Sequence, residues 1–388
     1  MKTRVRGSIF CGLLLVLTSA LTRSQVNPAM NTPDEVAWQL FIQVNTAAGA
    51  SNALFETWAS DTDTFQDSPQ FPSQPTRISP HAPIVPRAGL EAIQAAGGLV
   101  PQIPPNPAIG EEARRNKTAF DFIVVNNLYK LSGLKVAFGK EISFPIDAIE
   151  VKANWMPVSD IPTFSGNKVS LTDVPKLYHV NTGSDGKQYA MVSMHIISKL
   201  VPNWTWATFE HSLNPARCDI LGCIDRFGAQ TQVVSPNGQA NQGYPACTKS
   251  SALSALIAAA KWDKAFVNYC LKGSQTDFID NTGLAVRLGN SVTEDGFVNR
   301  SSCMTCHGRA AFGANGRATS NAGFDVNGAP LGPIDPSWYW SFSNKPPIFA
   351  GMPGLSRTAT SSDFVWSIPF CAIDDTASPP KKSPCTGK

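Results

Sequence analysis

The stretch that decides the fold is residues 189–197, which read YAMVSMHII and alternate in side-chain character. Residues 149–155, IEVKANW, also alternate, and residues 204–209, WTWATF, are rich in aromatic and β-branched side chains. These patterns are typical of β-strands, because successive side chains of a strand point to opposite faces of its sheet. Residues 148–211 therefore predict an antiparallel sheet with both faces largely covered.

Helices are predicted in the sequence before and after these strands. Thr32, Pro33 and Glu35 match a capping box with proline at the first helical position, which predicts the start of an amphipathic helix. Further helices are predicted over residues 53–58, 90–96, 117–131 and 250–271, the last ended by Gly273. Residues 308–388 are rich in glycine and proline, which predicts loops that lie around a cofactor. The expected fold class is α+β, with N-terminal helices, a central antiparallel sheet and a C-terminal loop-rich segment.

The N-terminal sequence indicates the compartment of the protein, and the net charge of the chain limits its possible partners. Lys2, Arg4 and Arg6 precede an apolar run at 9–17, so residues 1–24 are predicted to be a signal peptide. No later run reaches the roughly 18 apolar residues of a membrane span, so no transmembrane segment is expected after signal removal. The net charge of +3 supplies no strong field for nucleic acid, and we expect no such partner. A periplasmic or secreted protein is predicted.

The cysteines divide into two groups. Of the nine in the chain, Cys11 lies in the predicted signal peptide. Cys303 and Cys306 belong to the pentapeptide Cys303-Met304-Thr305-Cys306-His307. The other six are expected to form disulfides in an oxidising compartment, with the pairing open: Cys218, Cys223, Cys247, Cys270, Cys371 and Cys385. If Cys371 and Cys385 both pair outside the C-terminal segment, that segment is tied to the preceding region.

The CxxCH pentapeptide is the attachment pattern of haem c. On a helical turn, positions i and i+3 share a face, so Cys303 and Cys306 can both reach the haem vinyl groups while His307 reaches the iron. A redox dithiol and half of a zinc site are the alternatives. A dithiol does not need the histidine, and zinc needs a second pair of ligands at similar spacing. The pentapeptide therefore predicts one covalent haem c, with His307 as the proximal iron ligand.

The pentapeptide resembles that of the c-type cytochromes, and Gly351-Met352-Pro353 is similar to their second ligand motif. The resemblance implies Met352 as the sixth ligand of the iron. His195 and His211 in the strand region are alternatives, and an open position is a third. Arg300 and Arg309 lie near the pentapeptide and suit the haem propionates.

The sixth coordination position of the iron decides between two functions. A haem iron with a protein ligand at this position transfers electrons, whereas one whose sixth position is open can bind small molecules. We expect a secreted c-type cytochrome that exchanges electrons with a redox partner protein or a small-molecule donor or acceptor. The alternative is a haem c enzyme of peroxidase or oxygenase type. Residues 25–280 are predicted to be an α+β scaffold, and residues 281–388 a haem c-binding region packed on its strands near 195–211.

Overall fold

The computed structural model describes residues 27–49, 51–80, 109–234, 244, 247–294, 297–319, 331–343 and 354–385. The predicted signal peptide, the predicted helix over 90–96 and Met352 lie outside these ranges. Within them, no helix is both long enough and apolar enough to cross a membrane.

The centre of the fold is a seven-stranded sheet in which every pair of neighbours is antiparallel. Its strands are β1 Ala59–Ser60, β2 Gly110–Arg115, β3 Ile149–Pro157, β4 Val180–Thr182, β5 Gln188–Ser198, β6 Thr205–His211 and β7 Tyr269–Gln275. The order is β1-β2-β3-β5-β6-β7, and β4 pairs with β5. Two small antiparallel pairs follow, formed by β8 Ala311–Phe312 with β11 Thr360–Ser361 and by β9 Trp340–Ser343 with β10 Gly354–Arg357.

Short helices surround the sheet. They are α1 Pro28–Asn31, α2 Pro33–Val44, α3 Asp61–Thr64, α4 Lys117–Val125, α5 Leu131–Ala137, α6 Ile161–Phe164, α7 Val174–Leu177, α8 Ser251–Ala258, α9 Cys303–Gly308 and α10 Ser367–Cys371. Single 3₁₀ turns occur at Leu54–Thr57, Val158–Asp160, Lys264–Asn268, Val298–Arg300 and Pro336–Trp338. The predicted α+β class and the three predicted strands are confirmed.

Both faces of the sheet are covered, as predicted. On one face α2 packs against β6 and β7 through Trp38 and Phe41, and the ring of Phe41 stacks on Phe209 at 4.1 Å. A second apolar cluster joins Trp206 of β6 to Met304 and Ile368 from the C-terminal part of the chain. Burial of large apolar side chains on both faces is the main favourable term for such a layered fold. Residues on either side of position 280 share this core, and the domain boundary at 280 stays a prediction.

The start of α2 lies where it was predicted, but the capping box does not form. Thr32 occupies the cap position, yet its side chain makes no capping hydrogen bond and instead donates to Pro28 O at 3.3 Å. The helix is started by Pro33, whose missing N–H needs no partner at this position.

The predicted helix over 250–271 is wrong beyond its first two turns. Ser251–Ala258 is α-helical, Lys264–Asn268 forms a 3₁₀ turn, and Tyr269–Gln275 is the edge strand β7. Pairing with β6 overrides the local helical pattern, because it satisfies backbone groups and places Tyr269 and Leu271 in the core. The predicted helix over 117–131 is likewise divided, since α4 ends at Val125 before a turn that leads to α5.

The six predicted disulfide cysteines form three bridges, Cys218–Cys223, Cys247–Cys270 and Cys371–Cys385. Cys303 and Cys306 are not in disulfides. The expected disulfides are thus confirmed. Because the third bridge closes within the C-terminal segment, it does not tie that segment to the preceding region. Cys371 and Cys385 therefore give no support to the predicted packing of the segment on that region.

Candidate functional site

The short helix α9 places the pentapeptide at the wall of a cavity. Ser302 caps the helix, since its Oγ accepts from Thr305 N at 3.5 Å. Cys303, Cys306 and His307 all line the same cavity, which holds about 1370 Å³ of space free of atoms, including the part that opens to solvent. The i, i+3 spacing has therefore brought both thiols and the imidazole to one surface, as the sequence predicted.

Another boundary of the cavity is the face of the central sheet. Residues that are partners on neighbouring strands lie side by side in rows across this face. One row contains Ala113, Lys152 and His195, and the next contains Glu150, Ile197 and Trp206. All six residues line the cavity. The aromatic side chains Trp366 and Phe370, stacked at 4.8 Å, add an apolar wall from the C-terminal segment.

His307 is held in one orientation and one tautomer. Its Nδ1 lies 2.9 Å from Phe364 O, a carbonyl that can only accept, so Nδ1 carries the proton and Nε2 keeps its lone pair. The ring also packs against Trp206, with centroids 4.7 Å apart. Burial, followed by the charge of Lys152, lowers the pKa of His307 to about 4. A neutral imidazole whose second nitrogen donates to a carbonyl is the arrangement that metal-ligating histidines adopt.

Aromatic side chains hold the end of α9 in place. The indole of Trp366 donates to Cys306 O at 3.1 Å, and that of Trp338 donates to Arg309 O at 3.0 Å. The hydroxyl of Tyr339 donates to Gly308 O. These donors satisfy carbonyl groups that a helix end leaves without intrahelical partners, so the orientation of the pentapeptide is supported from outside the helix.

The two thiols do not have the character of a redox dithiol. Burial raises the pKa of Cys306 to about 12, and burial together with Glu294 raises the pKa of Cys303 well above its usual value. Reactive thiols need a lowered pKa, because the thiolate is the nucleophile and the metal ligand.

Among the described residues, one group of metal-ligating side chains lies close enough to share an ion, Asp61 with Cys371 and Cys385, and these two cysteines are joined in a disulfide.

Acidic side chains line the cavity in excess over basic ones. Asp61 and Glu150 both pair with the buried guanidinium of Arg115, the latter at 3.2 Å. Lys152 Nζ lies 3.4 Å from Glu111 Oε2. Burial raises the pKa of the remaining carboxyl, Glu294, to about 7, so this group is partly protonated at neutral pH.

Some of the site residues predicted from the sequence line the cavity and others do not. Cys303, Cys306, His307 and His195 line the cavity. His211 does not, and both of its nitrogens are occupied: Nε2 donates to Leu177 O at 3.0 Å and Nδ1 accepts from Leu213 N at 3.2 Å.

The two arginines suggested for the propionates also lie outside the cavity lining. Arg300 is exposed, and Arg309 lies over the ring of Trp338 at 4.7 Å. Met352, the other proposed iron ligand, lies outside the described residues.

Sequence reasoning missed the charged side chains of the cavity, which are Asp61, Glu111, Glu150, Lys152 and Glu294. The strand period places Lys152 on the same face as Glu150, but it does not say that this face looks into a cavity. Glu294 reaches the cavity from a loop, where no periodic pattern exists to identify it.

Comparison of the chain with protein-family models, with curated proteins and with solved structures finds no match. The site must therefore be interpreted from its own residues.

Proposed function

We propose that this protein is a c-type cytochrome that carries one haem c and transfers electrons. The haem would be attached by thioether bonds to Cys303 and Cys306, with His307 Nε2 as the proximal iron ligand. One observation carries the proposal: both unpaired thiols and the His307 ring line one cavity, and the hydrogen bond to Phe364 O leaves Nε2 as a ligand nitrogen.

The other walls of the cavity suit a flat apolar cofactor. Ile197 and Trp206 on the sheet and the stacked pair Trp366 and Phe370 give apolar surface to such a ring system. Arg309, which is next but one after His307, is proposed as a partner of a propionate.

When bound, haem c supplies a one-electron centre whose potential depends on its axial ligands and its burial. The chain itself contributes the neutral His307 imidazole and the apolar walls of the cavity. Three disulfides suit an oxidising compartment, so we propose that the protein acts in the periplasm or outside the cell. Its partner would be a redox protein or a small-molecule electron donor or acceptor.

The test is covalent haem in the full chain, matured with a haem-attachment system. We expect haem stain to persist on a denaturing gel and one haem per chain by the pyridine haemochrome assay. The double variant Cys303→Ala, Cys306→Ala should lose the stain. The matched control Cys218→Ala, Cys223→Ala removes a disulfide and should keep it. Covalent haem that persists in the first variant would refute the proposal.

A second function, a haem c enzyme of peroxidase or oxygenase type, is favoured by one observation. His195, Lys152 and Glu294 bring titratable groups into the same cavity as His307, and proton transfer by such groups is what peroxide chemistry requires. The optical spectrum of the oxidised protein separates the two functions. A six-coordinate low-spin spectrum supports electron transfer, whereas a high-spin spectrum that responds to peroxide supports the enzyme.

A further inference from the structure

A second feature of the cavity is the pair His195 and Lys152 on the sheet face, which the proposed electron transfer does not use. The two residues are direct partners on β5 and β3, so their side chains lie next to each other on the same face. Both line the cavity that contains Cys306 and His307. The protonation state of His195 decides what this pair can bind.

That state is set by Asn290, whose amide has a defined orientation. Its Oδ1 accepts from Val292 N at 2.9 Å and from Thr293 N at 2.6 Å. Backbone N–H groups only donate, so the oxygen must be on that side and the NH₂ group on the other. The NH₂ group then donates to His195 Nε2 at 2.9 Å and to Thr208 Oγ1 at 3.1 Å.

Because Asn290 donates to Nε2 of His195, that nitrogen carries a lone pair and no proton. The hydroxyl oxygen of Thr293 lies 3.0 Å from the same nitrogen, and its one proton is donated to Asn154 Oδ1 at 2.8 Å. Glu294 Oε1 is more distant at 3.5 Å, and its other oxygen accepts from Asn290 N at 2.6 Å. Burial and the charge of Lys152 also lower the pKa of His195 well below its ordinary value, in agreement with a neutral ring.

A neutral ring without a proton on Nε2 carries it on Nδ1. No described residue gives Nδ1 a hydrogen-bond partner, although the ring lines the cavity and its side chain is 13% exposed. The neighbouring Lys152 ammonium has three donors; Glu111 lies 3.4 Å away, and the carboxylates of Glu294 and Asp61 also act on its charge. The pair thus offers an N–H donor and a positive charge side by side in a cavity whose other side holds the pentapeptide.

We infer that His195 and Lys152 form the binding site for a small anion with hydrogen-bond acceptor atoms, and that His195 acts there as a donor through Nδ1 and not as an iron ligand. The inference rests on the covalent haem of the proposed function, and it takes the sixth position of the iron held by His307 to be open to the anion, as in the second function, a haem c enzyme. Iron ligation by His195 Nε2 would require the hydrogen bond from Asn290 to break, and ligation by Nδ1 would require the proton to move.

The test is binding of azide, a small anion, to the oxidised full-length protein with covalent haem, followed by its optical spectrum. His195→Phe and Lys152→Met should each weaken azide binding by about tenfold, which corresponds to a loss of about 1.4 kcal/mol and is the size of one hydrogen bond to a charged group. Lys187→Met is the matched control, since Lys187 is exposed and outside the cavity lining, and it should leave azide affinity unchanged. Carbon monoxide, a neutral ligand, should bind the reduced variants within twofold of the unmodified protein.

The outcomes separate this inference from the proposed function. Protein without covalent haem would refute both. Protein with covalent haem that does not bind azide would refute only the inference, as would azide affinities that change less than twofold in both cavity variants. If His195→Phe does not fold, the result for Lys152→Met decides, because that side chain is 31% exposed.

Discussion

Replacing His179 with glutamine should remove a contribution to stability that is present at neutral pH and lost at alkaline pH. His179 is buried between two acids, with Nε2 3.2 Å from Glu56 Oε2 and Nδ1 3.0 Å from Asp263 Oδ2. Its ring stacks on Phe266 at 4.6 Å. Burial by itself would lower the pKa of His179, but the hydrogen bonds and charges of the two carboxylates outweigh it and raise the pKa to about 9.

The size of the effect follows from the difference between folded and unfolded pKa. An unfolded histidine titrates near 6.5, so a folded pKa of about 9 for His179 corresponds to about 3 kcal/mol of stability. Because the folded pKa is the higher one, this contribution is complete below about pH 6.5. It decreases as the pH rises and is lost above about pH 9, where the ring is neutral in both states.

The assay is urea unfolding at a series of pH values from about 6 to about 9.5. The free energy of unfolding of the unmodified protein should fall across this range by about 3 kcal/mol more than that of His179→Gln. His211→Gln is the matched control, because burial lowers the pKa of His211 to about 3 and its ring stays neutral throughout the range. Parallel pH profiles for the unmodified protein and His179→Gln would show that the ring is not charged in the folded state.

Two further predictions concern local constraints. Cys371→Ser with Cys385→Ser should lower the free energy of unfolding by about 3 kcal/mol, because the bridge closes a loop between residues 14 apart, and the covalent haem stain should persist; an unchanged urea midpoint would contradict the first part. Gly228→Ala should cost about 2 kcal/mol or more, since a Cβ there would lie 2.2 Å from Trp38 Nε1 and break its buried hydrogen bond. Gly313→Ala, where the nearest atom would be 3.4 Å away, is the control, and equal melting temperatures for the two variants would refute the reasoning.

The sequence alone determined those features that depend on near neighbours in the chain. The alternation in 189–197 is enough to predict a strand, because the side-chain period of a strand is local. The arrangement of Cys303, Cys306 and His307 is local for the same reason, since one helical turn joins all three. The limit of local reasoning is visible at 250–271. A helical stripe was present there, but its last three residues belong to β7, because the edge of the sheet offered backbone partners that an isolated segment does not have.

Tertiary structure alone decided what surrounds the pentapeptide. Phe364 O fixes the tautomer of His307, and Asn290 fixes that of His195, although each pair is separated by more than fifty residues of chain. No pattern in the sequence encodes such a contact, because a carbonyl belongs to every residue and an amide is correctly oriented only when its neighbours are folded. The position of Lys152 beside His195 depends likewise on the register of two strands. A shift of one residue would turn Lys152 to the opposite face, so the chemistry of the cavity is a property of strand pairing rather than of either strand.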